Sequence, residues 1–120
     1  MIEHLLKKEG ISYKLIDDDD NFKLLKINSK IHMSYMFQKG NKFLLDRDFF
    51  DYLDGNSIPY CILCHDTLNE RMYFLKLNKT TNWVKSCFET CDKDGLYLGK
   101  NVMKYPISIP QLQAELKKYK

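Results

Sequence analysis

The chain has no uninterrupted run of about eighteen apolar residues, the length that a membrane-crossing helix needs, so a helical span is excluded. Its first ten residues, MIEHLLKKEG, lack the apolar stretch and small-residue cleavage site of a signal peptide. The expected location is therefore cytoplasmic, where thiols stay reduced. Internal repeats and low-complexity linkers are also missing. The expectation at 120 residues is one domain, residues 1–120, long enough to bury a core without staples. Charge of one sign is in short supply. Nineteen basic residues against 16 acidic leave +3, a surplus too small to imply nucleic-acid binding by itself. No phosphate-binding glycine loop, nucleophile elbow or metalloprotease helix occurs, so none of those chemistries has its signature here.

What the chain has is aromatic bulk, with seven Phe, eight Tyr and one Trp, and one well-punctuated stretch, GISYKLIDDDDNFKLLKINS, from Gly10 to Ser29. It reads as two strands, Ile11–Ile16 and Phe22–Ile27, joined by an acidic turn, Asp17–Asn21. Asp and Asn suit such a turn because their side chains bond nearby backbone and tolerate left-handed conformations. The rest of the chain is expected to cover this hairpin. Met1 to Glu9 reads as a short helix with Ile2, Leu5 and Leu6 on one face, closed by Gly10. Ile31–Gln38 reads as a strand, with Lys39-Gly40-Asn41 as a turn and Lys42–Leu45 as the returning strand. Asp46 is a good N-cap for a helix over 47–54 that ends at Gly55. Pro59 opens an apolar run, Tyr60 to Cys64, whose continuity fits a strand buried on both faces. Asp66–Glu70 is a turn, Arg71–Leu77 a strand, and Thr81 or Asn82 the cap of a helix to about Cys91, with Trp83, Cys87 and Phe88 available for packing. Leu96–Ser108 is irregular or holds a short strand. Ile109–Lys118 is a closing helix with Pro110 in its first turn. The order implies α+β or α/β, with a central mixed sheet of four to six strands flanked by helices.

The sequence of glycine, strand, acidic turn, strand and then a polar-x-Lys-Ser/Thr step resembles the metal-binding heart of the restriction-endonuclease-like, or PD-(D/E)xK, nuclease superfamily. The later portion FLLDRDFFDYLDGNSIPYCILCHDTLNERMYFLKL is similar to small domains of that superfamily, in which a short helix precedes a proline-opened buried strand and a second strand. The resemblance covers roughly residues 1–90. It implies a restriction-endonuclease-like fold. It also implies a site with an acid on the first strand of a hairpin and a Glu, Asp or Gln two residues before a Lys on the second. Residues two apart on a strand share a face, so carboxylate and lysine reach one divalent cation and its water. Hard oxygen ligands suit magnesium. This sequence departs from the pattern at each chemical position. The overlay puts Lys14 at the first-strand acid, Lys26 at the acid or amide and Asn28 at the lysine, so two like charges stand where a cation would sit. The expectation is a vestigial site without metal. The alternative is a shifted register, with Asp17, Asp18, Asp19 or Asp20 as magnesium ligands, Lys26 or Lys30 as the lysine, and Glu3 or Glu9 adding an oxygen.

The four cysteines, Cys61, Cys64, Cys87 and Cys91, form C-x2-C and C-x3-C spacings that invite a zinc reading. Cys61 and Cys64, however, lie in a continuous apolar strand, where a spacing of three sends them to opposite faces. Cys87 and Cys91 would share a helix face as core residues do, and buried thiols are the expectation. Cys64-His65-Asp66 is read as a strand end, because catalytic partners converge in space and seldom stand side by side in sequence. His4 and His32 stand alone. Lysines recur at Lys23, Lys26, Lys30, Lys39 and Lys42, near Tyr35 and Phe37, and Lys26, Lys30, Lys39 and Lys42 are the candidate contacts to phosphate or partner. Acidic runs at Asp17–Asp20 and Asp46–Asp54 would suit a partner with a basic face.

These observations favour a catalytically inactive, nuclease-fold binding protein without a cofactor. It would act on nucleic acid or on a nucleic-acid-processing enzyme, for example as an inhibitor or immunity protein carried by a phage or mobile element. The alternatives are an active magnesium-dependent nuclease with relocated ligands and a zinc-stabilised structural domain. The oligomeric state is open, with a homodimer among the possibilities.

Overall fold

The computed structural model describes residues 1–18, 22–40, 43–46, 60–76, 88–90, 95–98 and 106–120. Helix α1, Ile2–Lys8, buries Ile2, Leu5 and Leu6 along one stripe and carries Glu3 in its first turn and Lys7 and Lys8 in its last, charges that complement the helix dipole. It stops where Gly10 takes φ +68°. The Ile11 N–H reaches the Leu6 carbonyl at 2.9 Å and the Gly10 N–H the Lys7 carbonyl at 3.1 Å, the hydrogen-bond pair of a Schellman end. Leu6 and Ile11 both join the core and complete that motif with an apolar contact.

Strands β1 (Tyr13–Asp18), β2 (Phe22–Ile27), β3 (Ile31–Gln38), β5 (Tyr60–Asp66) and β6 (Arg71–Lys76) form one sheet in the order β1-β2-β3-β5-β6. The β3–β5 pair is parallel and the other three pairs are antiparallel. A second, three-stranded sheet joins β4 (Leu44–Asp46), β8 (Gly95–Leu98) and β7 (Phe88–Thr90) in the order β4-β8-β7. Helix α2, Ile109–Lys117, closes the chain. Its start is fixed by a capping box: the Gln111 N–H donates to Ser108 Oγ at 3.3 Å and the Ser108 N–H to Gln111 Oε1 at 2.8 Å.

Alternation divides the large sheet into two faces. Leu25, Ile27, Met33, Tyr35, Cys61, Leu63 and Met72 point one way and pack with Ile2, Leu5 and Leu6 of α1 and Leu112 and Leu116 of α2. Leu24, Ser34, Met36, Ile62, Cys64 and Tyr73 point the other way and are buried as well, with Phe43 edge-on to Tyr73 at 6.3 Å. The continuous apolar run of β5 is therefore buried on both faces, as expected.

Four expectations need correction. The β1–β2 hairpin is not the element that the fold is built around. β3 is, because it pairs with β2 on one side and β5 on the other, while β1 stands at the edge of the sheet among the described residues, with five of its six residues exposed. Asp17 and Asp18 belong to β1, where they pair with Leu24 and Lys23, because a bulge at Ile16 lets the ladder continue past the point where turn chemistry would end it. Residues 44–46 do not return to β3 but pair with β8. Residues 88–90 are a strand, not the end of a helix, because the β8 backbone supplies a ladder that outweighs local preference. The expected helix over 47–54 and the start of the one over 81–91 lie outside the described residues.

Candidate functional site

The β1–β2–β3 meander places three basic side chains in one row. Lys14 is the direct cross-strand partner of Lys26, and Lys26 of His32. Paired residues share a face, so all three stand on the face opposite α1 and α2. The β2–β3 turn borders this row. Asn28 and Ser29 there adopt φ +49° and +56°, left-handed values that Asn accepts more readily than most residues. Together with Ser12, Tyr13, Leu15 and Ile16, these residues line an open cavity of about 650 Å³, and none of its described lining residues is Asp or Glu. Burial, reinforced by the Lys26 charge, holds the His32 pKa below its ordinary value, so at neutral pH the ring is an uncharged donor and acceptor at the end of the row, between Lys26 and Tyr60.

Lys14 and Lys26 therefore meet, whereas Asn28 is committed elsewhere: its Nδ2 donates to the Tyr119 carbonyl at 2.8 Å, tying the turn to the end of α2. Lys30 Nζ makes a parallel link to the Lys120 carbonyl at 3.2 Å. Lys39 is exposed at the end of β3 and away from the cavity lining. Lys42 lies outside the described residues, as do Asp19 and Asp20.

Among the described residues, the carboxylates suggested as relocated ligands do not converge. Asp17 pairs with Leu24 and Asp18 with Lys23, so the two face opposite sides of the sheet. Glu3 is engaged by Lys23 at 3.4 Å and Glu9 by Lys117 at 3.7 Å. Among the described residues no three His, Cys, Asp or Glu side chains gather as a metal site. Moving the nuclease pattern to the other hairpin of the meander does not rescue it, because β2 reads FKLLKI and β3 IHMSYMFQ, without a single Asp or Glu. The donor set at Lys14, Lys26 and Asn28 does not fit a divalent cation: two ammonium groups and a committed amide offer it no anionic oxygen.

Cys61 and Cys64 are both buried. They pair with Lys76 and Tyr73 respectively, on opposite faces of the sheet, so one zinc ion cannot take both. Cys87 and Cys91 lie outside the described residues. His65 turns away from Cys64 and Asp66, so the Cys64-His65-Asp66 run forms no cluster, and its partner comes from 30 positions away: Tyr35 Oη lies 2.7 Å from His65 Nδ1. Glu70 Oε2 stands 3.9 Å from His65 Nε2. Burial, with a smaller contribution from the Glu70 charge, pushes the Tyr35 hydroxyl up to about 12, so it stays protonated while bonded to Nδ1. This pair had no sequence signal, because it depends on the parallel β3–β5 register.

No family model and no curated protein matches the chain. Among solved structures it is similar to a Holliday junction resolvase, Hjc, from the archaeal hyperthermophile Archaeoglobus fulgidus, with a TM-score of 0.56 over 94% of this chain and 89% of that one. The two share their fold. At 10% identity the likeness establishes that fold and no more. It agrees with the mixed, restriction-endonuclease-like sheet that the sequence implied, and residue roles rest on the geometry above.

Proposed function

We propose that this chain is a non-cleaving, phosphate-binding module on a resolvase-like scaffold, with nucleic acid as its target. The observation that carries the reading is the Lys14–Lys26 pair, which faces a cavity bare of carboxylates among its described lining. Like charges directly opposite on a sheet destabilise it by a few tenths of a kcal/mol up to about 1. A phosphate between the two ammonium groups reverses that sign. Each charge contact at about 4 Å contributes roughly 1 kcal/mol in water and more where water is partly excluded. Phosphate contacts of this kind carry no base information, so the expected binding is non-specific, with Kd no tighter than about 10⁻⁴ to 10⁻⁶ M. Support also comes from the fold likeness to a protein that handles Holliday junctions.

Fluorescence anisotropy with labelled single-stranded, duplex and four-way DNA, across a salt series, tests the reading. Binding should weaken as salt rises, and each of Lys14→Ala and Lys26→Ala should reduce the logarithmic salt slope by about 1. The DNA should remain intact with magnesium or manganese. Metal-dependent cleavage, or no binding at low salt, would overturn it.

A second reading has one observation in its favour. Asp17 and Asp18 are both exposed at the end of β1, where they could meet the basic groove of a nucleic-acid-processing enzyme. In that case the chain would bind no DNA, and Asp17→Lys would abolish capture of the enzyme.

A further inference from the structure

We infer that β1 is a self-pairing edge through which two copies of this chain join their sheets about a two-fold axis. Among the described residues β1 pairs only with β2, so the backbone groups on its outer side are open to a ladder. The far edge of the sheet differs, because the Ile107 N–H bonds the Met72 carbonyl at 2.7 Å and begins to cover β6. β1 also exposes two aliphatic side chains, Leu15 at 38% and Ile16 at 45%, an unusual load for a strand with no neighbour on that side among the described residues.

The order of residues in YKLIDD names the occupant. Laid antiparallel on a second copy, the strand sets Leu15 against Ile16, Lys14 against Asp17 and Tyr13 against Asp18. Each pair then occurs twice, as an isologous interface demands. A regular strand would waste this complementarity, since positions 14 and 17 would point to opposite faces. The bulge at Ile16 corrects it. Beyond the bulge, Asp17 pairs with Leu24 and so shares the face of Lys14, while Asp18 pairs with Lys23 and shares the face of Tyr13. Every acid on one copy therefore meets a base or a phenol of the other on the same side of the joined sheet. A bulge normally blunts an edge against random pairing; here it also selects a single register. Two-fold closure consumes both edges, so the assembly stops at two.

This inference does not depend on nucleic-acid binding. Tyr13, Lys14, Leu15 and Ile16 line the cavity as well, so an anion there and a second copy compete for the same strand and the same Lys14 ammonium, and the pairing is measured in buffer free of phosphate and nucleic acid. Sedimentation of the full chain over a concentration series should give a monomer–dimer equilibrium. Lys14→Asp and Asp17→Lys, each alone, should weaken it by about tenfold or more, with circular dichroism unchanged. The double variant Lys14→Asp/Asp17→Lys should restore it, an outcome that misfolding of the single variants could not produce. A monomer at every concentration, a dimer indifferent to the single reversals, or a double variant as weak as the singles would overturn the inference.

Discussion

Tyr35 Oη and His65 Nδ1 share a hydrogen bond of 2.7 Å, joining β3 to β5 by side chains as well as by backbone. Burial is the main force on His65 and holds its pKa below the ordinary value, against the opposing pull of Glu70. His32 is shifted the same way. A histidine whose folded pKa is depressed binds its proton more readily in the unfolded chain, so stability rises with pH. The contribution is complete above about 6.5, the ordinary value, and is lost as pH falls from there towards the folded pKa. The midpoint of thermal unfolding should therefore drop between pH 7 and pH 5. Tyr35→Phe should cost about 1–2 kcal/mol at neutral pH, because it leaves Nδ1 without its hydroxyl partner. His65→Gln should flatten the acid limb, and an unchanged limb in that variant would assign the effect elsewhere.

Asp66 supports a second prediction. It is 1% exposed, and its carboxylate accepts from the Gly40 N–H at 2.9 Å, the Leu68 N–H at 3.0 Å, the Asn69 N–H at 3.1 Å and Asn69 Nδ2 at 2.8 Å. Burial alone would raise its pKa, but the hydrogen bonds from Asn69, Gly40 and Leu68 outweigh burial and hold it below the usual carboxylate range. Asp66→Ala should destabilise the chain by about 2–3 kcal/mol, because several donors lose their acceptor together. Asp66→Asn should cost less, since one amide oxygen survives. With a depressed folded pKa, this contribution is present above the unfolded value, about 3.9, and is lost only as pH falls below it. Urea titrations at pH 7, pH 5 and pH 3 separate the two limbs, because the histidine contribution is lost over the first interval and the Asp66 contribution over the second.

Much of this architecture was legible in the residues, for specific reasons. Both terminal helices announce themselves through apolar spacing and end chemistry, Gly10 after α1 and Pro110 within α2. The strand from Tyr60 was readable because an unbroken apolar run fits burial on two faces. The meeting of Lys14 with Lys26 followed from hairpin pairing. What escaped was non-local. No local preference says that residues 88–90 will find a ladder on residues 95–98, or that residues 44–46 will join the same sheet. The Ile16 bulge was hidden because nothing in YKLIDD marks an extra residue, and without it Asp17 and Asp18 look like turn residues. Tyr35 and His65 were separately visible as an aromatic and a strand-end histidine, but only the parallel register makes them a pair.

The Lys14–Lys26 pair predicts a ligand-dependent change in stability. An anion that binds the folded chain alone stabilises it by RT ln(1 + [L]/Kd), about 2.7 kcal/mol at a hundredfold excess over Kd. Inorganic polyphosphate or short DNA should therefore raise the unfolding midpoint. The increase should fade with added salt and shrink in Lys26→Ala. Magnesium alone should not raise it, since the described residues around the pair offer the cation no carboxylate. A magnesium-induced rise abolished by Asp17→Ala or Asp18→Ala would instead mark a relocated metal site.

The β2–β3 turn yields the last prediction, because Asn28 does two jobs there. Its backbone takes φ +49°, and its side-chain amide holds the Tyr119 carbonyl at 2.8 Å. Asn28→Gly keeps the first role and loses the second, while Asn28→Ala loses both. The left-handed conformation costs a residue with a Cβ roughly 1–2 kcal/mol, and the lost hydrogen bond costs about 1. The alanine variant should therefore be the less stable of the two by about 1 kcal/mol, and both should fall below the parent chain in urea denaturation. Hydrogen exchange adds a local readout. Loss of the amide frees the end of α2, so the amides of Tyr119 and Lys120, which bond the Leu116 and Lys117 carbonyls, should exchange faster in both variants. Equal stability of the two variants would mean that the strain at residue 28 is relieved elsewhere in the turn, and that the link to Tyr119 accounts for the whole effect.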